Sequence, residues 1–167
     1  VVVYTGPSKG KTSASVGLMA RALGYGHRVA YIQFIKDWEV GEHKFIKAIL
    51  PVFDKKLTFY KGGKGFFHAR ELSAEGVTDE QHRAAARATY DFALNCVSSG
   101  NYDLVICDEI NNAVGHGLIS KADLATLIDA KHMNTSVCLT GRDFPEDLLP
   151  KVDIATFMSK LKHHFDD

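Results

Sequence analysis

A glycine loop set between an apolar strand and an apolar helix constrains the fold of this chain more than any other feature. The run VVVYT at residues 1–5 is β-branched and apolar, which predicts a buried strand. Residues 12–23 carry apolar side chains at most positions and predict a largely buried helix. Between them lies the loop Gly6-Pro7-Ser8-Lys9-Gly10-Lys11, followed by Thr12. This order of strand, glycine loop, Lys-Thr and helix is typical of a phosphate-binding P-loop.

The residue types of the loop match the chemistry of phosphate binding. Glycines let successive backbone N–H groups turn inward, and the N-terminus of a helix adds about half a positive charge. Lys11 would bring a full charge to the outer phosphates, and the Thr12 hydroxyl can ligate Mg²⁺. The general pattern has four residues between its glycines, whereas three separate Gly6 from Gly10. We therefore expect an unusual branch of the P-loop proteins, with an ordinary strand-to-helix turn as the alternative.

Length and composition limit the classes of protein to consider. The 167 residues fit one domain, and 20 basic residues balance 20 acidic ones. This balance gives no support to a nucleic-acid partner or to a membrane-surface protein, and no apolar run is long enough for a membrane span. Cys96, Cys107 and Cys138 are odd in number and lack metal-ligand spacing, so we expect them in the core of a protein from a reducing, cytoplasmic compartment. The chain starts inside a predicted strand without Met, and we expect both ends to be trimmed.

Strand and helix patterns alternate from residue 1 to residue 167 without repeats. Further strands are predicted at 28–35, 57–60, 103–107, 136–139 and 153–157, and further helices near 42–50, from 78 to about 97, and after 120. The spacings Thr78 to Gln81 and Ser120 to Asp123 are those of helix N-terminal caps. Strands separated by helices predict an α/β fold: one domain with a parallel sheet and helices on both faces, similar to the RecA-like P-loop NTPases.

Polar side chains follow several of the predicted strands. In a parallel α/β sheet, ligands bind at the carboxyl ends of the strands. Those ends carry, in strand order, the loop from Gly6 to Thr12, then Gln33 and Lys36, then Asp108 and Glu109, and finally Arg142. The sequence therefore predicts a metal–polyphosphate site at this edge. Each member also has a structural interpretation, since strands often end in acids and Arg142 could be a surface residue. No histidine cluster with zinc-ligand spacing and no nucleophile–histidine pair is visible.

Five segments together resemble the P-loop corrinoid adenosyltransferases: GPSKGKTSA, VAYIQFIK, W-x-x-GE, VICDEI and LTGR. Members of this family transfer the 5′-deoxyadenosyl group of ATP to cobalt in cobalamin or its precursors, and the shortened glycine loop is a family trait. The resemblance implies that Lys11 and Arg142 act on the triphosphate and that Thr12, Asp108 and Glu109 hold Mg²⁺ or Mn²⁺. It further implies an ATP- and corrinoid-binding set of Gly6, Ser8, Lys9, Gly10, Ser13, Gln33, Lys36, Trp38 and Glu42.

An aromatic loop is the second part of the resemblance. The family uses a Gly-Phe-x-Trp loop whose rings lie on the lower face of the corrin and displace the lower ligand. Here Gly65-Phe66-Phe67-His68 stands in that place, with His68 where the family has tryptophan. We expect Phe66, Phe67 and His68 to take part in catalysis from a glycine-rich loop, 61–68, that is poorly ordered without corrinoid. The alternative is that these rings simply cover the core.

The implied chemistry needs no protein base, because Co(I) is nucleophilic enough to attack a methylene carbon. The resemblance also implies a reduced flavoprotein or flavin as electron donor and a homodimer, and it leaves open whether the substrate is complete cobalamin or an earlier corrinoid. Two other classes share the P-loop and the Asp-Glu pair. One is a nucleoside kinase or NTP hydrolase, for which Glu109 would be the available base. The other is a nucleotide-binding switch that performs no chemistry.

Overall fold

The computed structural model describes residues 1–65 and 77–162. The strands are β1 (Val2–Thr5), β2 (Val29–Gln33), β3 (Leu57–Lys61), β4 (Leu104–Asp108), β5 (Ser136–Thr140) and β6 (Ile154–Phe157). The helices are α1 (Lys11–Gly24), α2 (Gly41–Ile49), α3 (Asp79–Ser98), α4 (Ile110–Gly115) and α5 (Lys121–Asp129), with a 3₁₀ helix at Glu146–Lys151. None of the helices in these ranges combines the length and apolar character that crossing a membrane requires.

All strand pairs in the sheet are parallel, and the strand order is β3-β2-β4-β5-β1-β6. The strand that precedes the glycine loop, β1, is therefore separated from β4 by β5. The register pairs Gln33 with Asp108 at the carboxyl ends of β2 and β4. This arrangement confirms the predicted parallel α/β sheet and brings the polar strand ends to one edge.

Helices cover both faces of the sheet, as predicted. Successive side chains of a strand point to opposite faces, and β2 shows the result. Tyr31 packs in a cluster with Met19 of α1 and Ile46 of α2, whereas Ile32 packs in a cluster with residues of α3, α4 and α5. The three cysteines are buried and unpaired within these two cores.

Each predicted strand is confirmed to within two residues at either end, and the caps of α3 and α5 are confirmed in detail. Thr78 Oγ1 accepts from Gln81 N at 3.2 Å, and Gln81 Oε1 accepts from Thr78 N at 2.9 Å. Ser120 and Asp123 form the same reciprocal pair. Neither α4 nor the 3₁₀ helix was predicted from the sequence. With six residues each, both are too short to show a helical period.

Two glycines of the predicted mobile loop have a packing role in the structure. A Cβ on Gly62 would overlap Thr89 of α3, and a Cβ on Gly63 would overlap the carbonyl of Ile35. Gly62 N donates to Gln33 O, and Gly65 N donates to Ile35 O, each at 3.0 Å. Residues 61–65 are thus anchored on the backbone that follows β2. Phe66, Phe67 and His68 lie outside the described residues.

The cap of α5 makes a testable contribution to stability. Arg87 donates two hydrogen bonds to Asp123, at 3.1 and 2.9 Å, and lowers the pKa of this carboxyl to about 2. A depressed carboxyl pKa stabilises the folded state above the unfolded pKa, and this stability is lost as pH falls from about 4 to about 2. We expect Asp123→Ala to lower the free energy of unfolding by roughly 1 to 2 kcal/mol at pH 7.

Urea unfolding at several pH values measures this difference, which should shrink below pH 4. Asp129→Ala is the matched control. It removes a partner of Lys151 whose side chain is 58% exposed, so its effect should stay within about 0.5 kcal/mol. A difference for Asp123→Ala that does not change between pH 7 and pH 3 would contradict the assignment.

Candidate active site

The glycine loop turns directly into the N-terminus of α1. Gly6 and Gly10 have φ of 113° and 106°, a region that L side chains rarely adopt. Lys11 is the first residue of α1, and its Nζ donates to Gly6 O at 2.7 Å and to Ser8 O. The lysine ammonium is thus held inside the loop, at the positive end of the helix. Such a loop and helix terminus form a ready-made anion site.

The residue after β6 supports this loop from the other side. Met158 N donates to Thr5 O at 2.8 Å, and Ser8 N donates to Met158 O at 3.4 Å. A Cβ on Gly6 would overlap the backbone of Met158. Gly6 is therefore required both for its positive φ and for the close approach of the chain that leaves β6. This contact was not predicted, because nothing local in the sequence pairs residue 6 with residue 158.

Asp108, the last residue of β4, is fully buried and surrounded by donors from three elements. Its Oδ1 accepts from Thr140 Oγ1 of β5 at 2.7 Å, and its Oδ2 accepts from Gln33 Nε2 of β2 at 2.8 Å. The Thr12 hydroxyl of α1 donates to the same Oδ2 at 3.2 Å. Burying a charge is costly unless it is hydrogen-bonded, and these donors satisfy the carboxylate while fixing its orientation.

Glu109 departs from ordinary backbone geometry. Its φ of 62° lies in the left-handed region, which costs a residue with a side chain of order 1 kcal/mol or more. Its backbone N donates to Thr140 Oγ1 at 2.9 Å, so one threonine hydroxyl orients both acids. The Oε2 atom of Glu109 is buried without a hydrogen-bond partner. Burial, together with the nearby Asp108 carboxylate, raises the pKa of Glu109 to about 7.

The ammonium of Lys36 lies among the oxygen atoms of the site. Its Nζ is 2.9 Å from Glu42 Oε1, 3.3 Å from Thr12 Oγ1, 3.9 Å from Asp108 Oδ2 and 4.0 Å from Glu109 Oε1. Burial works to lower the pKa of Lys36, but the three carboxylates outweigh it and raise the pKa, so the group is charged. The structure thus already places one cation at the centre of the oxygen cluster.

Lys11 and Arg142 share the electrostatics of the phosphate loop. Burial lowers the pKa of Lys11, and the positive charge of Arg142 lowers it further. Arg142 is exposed, and its backbone N donates to Asn112 Oδ1 of α4 at 2.7 Å. Gly141 precedes it with φ of 136°, and a Cβ there would collide with Asn111. The tight turn at Gly141 packs against α4, and this packing positions Arg142 near the glycine loop.

The structure brings the predicted site residues to one edge, but it gives some of them supporting positions. Both amide atoms of Gln33 are bonded inside the protein, to Asp108 and to His43, so this residue lies behind the carboxylate. Glu42 pairs with Lys36. Ser8, Lys9, Gly10 and Ser13 line the loop and the first turn of α1, and Trp38, which is 39% exposed, precedes α2.

Three residues of the site were not predicted: Thr140, His43 and Asn112. Each acts through a hydrogen bond between two different elements or turns of the fold, which no local pattern marks. Among residues 1–65 and 77–162, no group of three or more His, Cys, Asp or Glu side chains could hold a metal ion by itself. A metal ion at this edge must therefore draw on Thr12, on water and on a bound ligand as well as on the two acids.

A parallel sheet with a lysine-containing glycine loop after β1 and an Asp-Glu pair after β4 defines a P-loop nucleotide-binding protein. Comparison with known proteins assigns the class more narrowly. Residues 1–167 match the model of the family described as ATP:corrinoid adenosyltransferase BtuR/CobO/CobP. The chain belongs to this family, as the resemblance predicted.

Individual relatives agree with this assignment. A corrinoid adenosyltransferase of Pseudomonas aeruginosa is 31% identical over 166 residues, which cover 99% of this chain and 77% of the relative. A corrinoid adenosyltransferase of Sinorhizobium sp is 32% identical, and the match covers 99% of this chain and 74% of the relative. One of Escherichia coli K12 is 28% identical, and the match covers 99% of this chain and 79% of the relative. All three relatives are named as corrinoid adenosyltransferases, in agreement with the family assignment.

A solved structure supports the fold alone. The flagellar accessory protein FlaH from Methanocaldococcus jannaschii superposes with a TM-score of 0.52 at 16% identity. The match covers 89% of this chain but only 64% of the length of FlaH. It agrees with the predicted RecA-like P-loop architecture and carries no information about the reaction.

The raised pKa of Glu109 leads to a prediction with a defined sign. Between about pH 4.5 and pH 7 the folded state binds a proton that the unfolded state has released, so stability falls as pH rises through this range. Glu109→Gln removes the charge. We expect the ligand-free variant to be more stable than the parent above pH 7, by roughly 2 to 3 kcal/mol at most, and equal to it near pH 4.5.

Thermal unfolding as a function of pH measures this effect. Glu42→Gln is the control of opposite sign. Burial raises the pKa of Glu42, but the hydrogen bond and charge of Lys36, together with a backbone hydrogen bond, outweigh burial and lower it. Removing that charge should destabilise the protein at neutral pH. If Glu109→Gln leaves stability unchanged or lowers it at pH 8, the environment assigned to Glu109 is wrong.

Proposed function

We propose that this protein transfers the 5′-deoxyadenosyl group of ATP to Co(I) of a corrinoid and releases triphosphate. In this reaction the electron pair of Co(I) forms the Co–C5′ bond. The C5′–O bond breaks, its electron pair leaves with triphosphate, and cobalt becomes formally Co(III). The observation that carries the proposal is that the family match spans a chain in which Lys11 lies in a phosphate loop and the Asp108–Glu109 pair lies beside Thr12.

The protein's task in this reaction is electrostatic. Negative charge grows on the triphosphate as the C5′–O bond breaks, and fixed positive groups aimed at that charge lower the barrier. Lys11, held at the N-terminus of α1, and Arg142, which is near enough to perturb it, are the groups we assign to this task. The cobalt substrate supplies the nucleophile, so no side chain needs to act as a base.

A divalent cation fits the acid-lined part of the site. The buried Oε2 of Glu109 lacks a partner, and Lys36 shows that a positive charge is accommodated among the same oxygen atoms. Thr12, Asp108 and Glu109 are the residues we propose to hold Mg²⁺ or Mn²⁺, in part through water. When bound, the ion neutralises phosphate charge.

The corrinoid side of the proposal rests on the resemblance. We assign Phe66, Phe67 and His68 to the lower face of the corrin, with Trp38 on the exposed surface ahead of α2. The reduced flavin or flavoprotein donor, the homodimer, the cytoplasmic location and a cob(I)yrinic acid a,c-diamide type of substrate belong to the same proposal.

Product analysis tests the proposed reaction. ATP is incubated with Mg²⁺ and chemically reduced cobalamin without oxygen, and the phosphorus products are identified by ³¹P NMR while the optical spectrum follows Co–C bond formation. We expect triphosphate and adenosylcobalamin in equal amounts. Diphosphate would instead indicate a kinase or hydrolase, and ATP binding without any product would indicate a switch.

Lys11 should be essential in this assay. We expect Lys11→Met to lose the charge-assisted contacts to the leaving group, which are worth roughly 2 to 4 kcal/mol, and therefore to be slower by a factor of about 30 to 1,000. Lys55→Met is the control, because Lys55 is exposed ahead of β3 at the opposite edge of the sheet. If Lys11→Met keeps more than about a third of the parental rate, the assignment of phosphate binding to this loop is wrong.

Removal of the metal should abolish turnover. We expect no product in excess chelator and full recovery on addition of Mg²⁺ or Mn²⁺. Thr12→Val keeps the shape of the side chain but loses the hydroxyl, so the Mg²⁺ concentration at half-maximal rate should rise by about tenfold, whereas Thr12→Ser should stay near the parent. Undiminished activity in chelator would refute the metal site.

A further inference from the structure

A row of three buried polar side chains runs from α2 to the acidic pair. His43, Gln33 and Asp108 are 1%, 0% and 0% exposed. His43 Nε2 is hydrogen-bonded to Gln33 Oε1, and Gln33 Nε2 donates to Asp108 Oδ2 at 2.8 Å. The row therefore connects α2 to the Asp108 carboxylate at the centre of the site. This helix contributes no group to the phosphate loop.

The direction of each hydrogen bond in this row follows from chemistry. The Asp108 carboxylate accepts donors from Thr12 and Thr140 as well as from Gln33, and an ionised carboxylate can only accept. Gln33 must therefore turn its NH₂ group to Asp108, which leaves its carbonyl oxygen facing His43. A carbonyl oxygen only accepts, so His43 must carry its proton on Nε2.

The surroundings of His43 support a neutral ring with this single tautomer. The ring lies 5.7 Å from the ring of Phe59, centroid to centroid, and shares the buried face of α2 with Ile46. Burial lowers the pKa of His43, and the positive charges of Lys61, Lys36 and Lys47 act in the same direction against the opposing effect of Glu42. An apolar residue would suit this face of the helix. Instead the position holds His43, whose ring nitrogen is hydrogen-bonded to Gln33, the residue of β2 that donates to Asp108.

We propose that His43 is a positioning residue of the active site: by donating from Nε2 to Gln33, it fixes the amide orientation that holds Asp108 in place. Without this donor the Gln33 amide is free to rotate, and rotation would turn its oxygen toward the Asp108 carboxylate. Asp108 would then lose a donor and face a repulsive oxygen. The proposal rests on the proposed function, since Asp108 matters to turnover only if the acid pair serves the metal-bound triphosphate.

The structural part of the proposal can be tested without any reaction. Long-range ¹H–¹⁵N NMR spectra of the ligand-free protein report the protonated nitrogen of each histidine, and His43→Leu identifies the resonances of His43 by their disappearance. We expect the Nε2–H tautomer with Nδ1 unprotonated. The Nδ1–H tautomer, with Nε2 unprotonated, would overturn the proposal, because Nε2 could then not donate to Gln33.

A double-variant cycle tests the functional part. His43→Leu keeps the approximate volume without a donor, and we expect it to lower kcat for adenosyl transfer by about 10- to 100-fold, as for other residues that orient a metal ligand. His43→Gln places an amide donor where Nε2 lies and should remain within about threefold of the parent. In a Gln33→Leu background, His43→Leu should cause no further loss beyond about twofold, because its effect passes through Gln33.

Thermal unfolding of every variant, with assays run well below all midpoints, separates this effect from a loss of folded protein. Losses that multiply between Gln33→Leu and His43→Leu would overturn the proposal, because His43 would then act by another route. Failure of His43→Gln to recover activity while folded would overturn it as well.

The affinity of the ATP-bound protein for Mn²⁺, followed by the paramagnetic signal of the ion, gives a second reading of the same cycle. If the parent binds Mn²⁺ with ATP but transfers no adenosyl group, the proposed reaction fails, and the tautomer and the Mn²⁺ cycle still decide the role of His43. We expect His43→Leu to weaken Mn²⁺ binding by about tenfold or more and His43→Gln to leave it near the parental value. Equal Mn²⁺ affinities in the parent and in His43→Leu would overturn the proposal.

Discussion

The burial of the Asp108 carboxylate at the end of β4 is the constraint on which the site depends. A fully buried carboxylate must be matched by donors, and those donors come from α1, β2 and β5. Each element can supply its donor only if the sheet has its observed strand order and register. The same contacts that make burial tolerable thus align the phosphate loop with the acidic pair.

Most of the fold could be predicted because its signals are local. Apolar runs coincide with the strands β2 and β4 that they predict. The reciprocal caps at Thr78 and Ser120 lie directly before the helices α3 and α5 that they begin. The helix α4 escaped prediction because it has six residues and starts from Glu109 in a left-handed conformation. No periodic pattern or N-cap side chain marks such a start. Composition alone predicted a mobile loop around Gly62 and Gly63, whereas in the structure Gly62 packs against the side chain of Thr89 and Gly63 against the backbone of Ile35.

The sequence predicts which end of the sheet carries the polar side chains, but it does not predict which of them are hydrogen-bonded to one another. The rule that ligands bind at the carboxyl ends of parallel strands predicted that Thr12, Asp108, Glu109 and Arg142 lie at one end of the sheet. The structure places Thr12 beside Asp108, and Arg142 near enough to Lys11 to lower its pKa. His43 and Thr140 were missed because their roles depend on which strands are neighbours. Gln33 pairs with Asp108 only because β2 lies beside β4, and Thr140 reaches both acids only because β5 lies on the other side. The strand order, and hence these partners, is not written in any single segment.

The charges around Lys36 bear directly on the metal site that we propose. The Lys36 ammonium nitrogen lies within 4.0 Å of a carboxylate oxygen of each of three residues, Glu42, Asp108 and Glu109. The third negative charge is held at a cost, since burial and Asp108 raise the pKa of Glu109 to about 7 and its Oε2 has no partner. An added cation among these oxygens would relieve that cost, because a nearby positive charge favours the ionised carboxyl. The buried, unpartnered Oε2 of Glu109 is therefore the feature of the ligand-free protein that most favours the metal ion we propose.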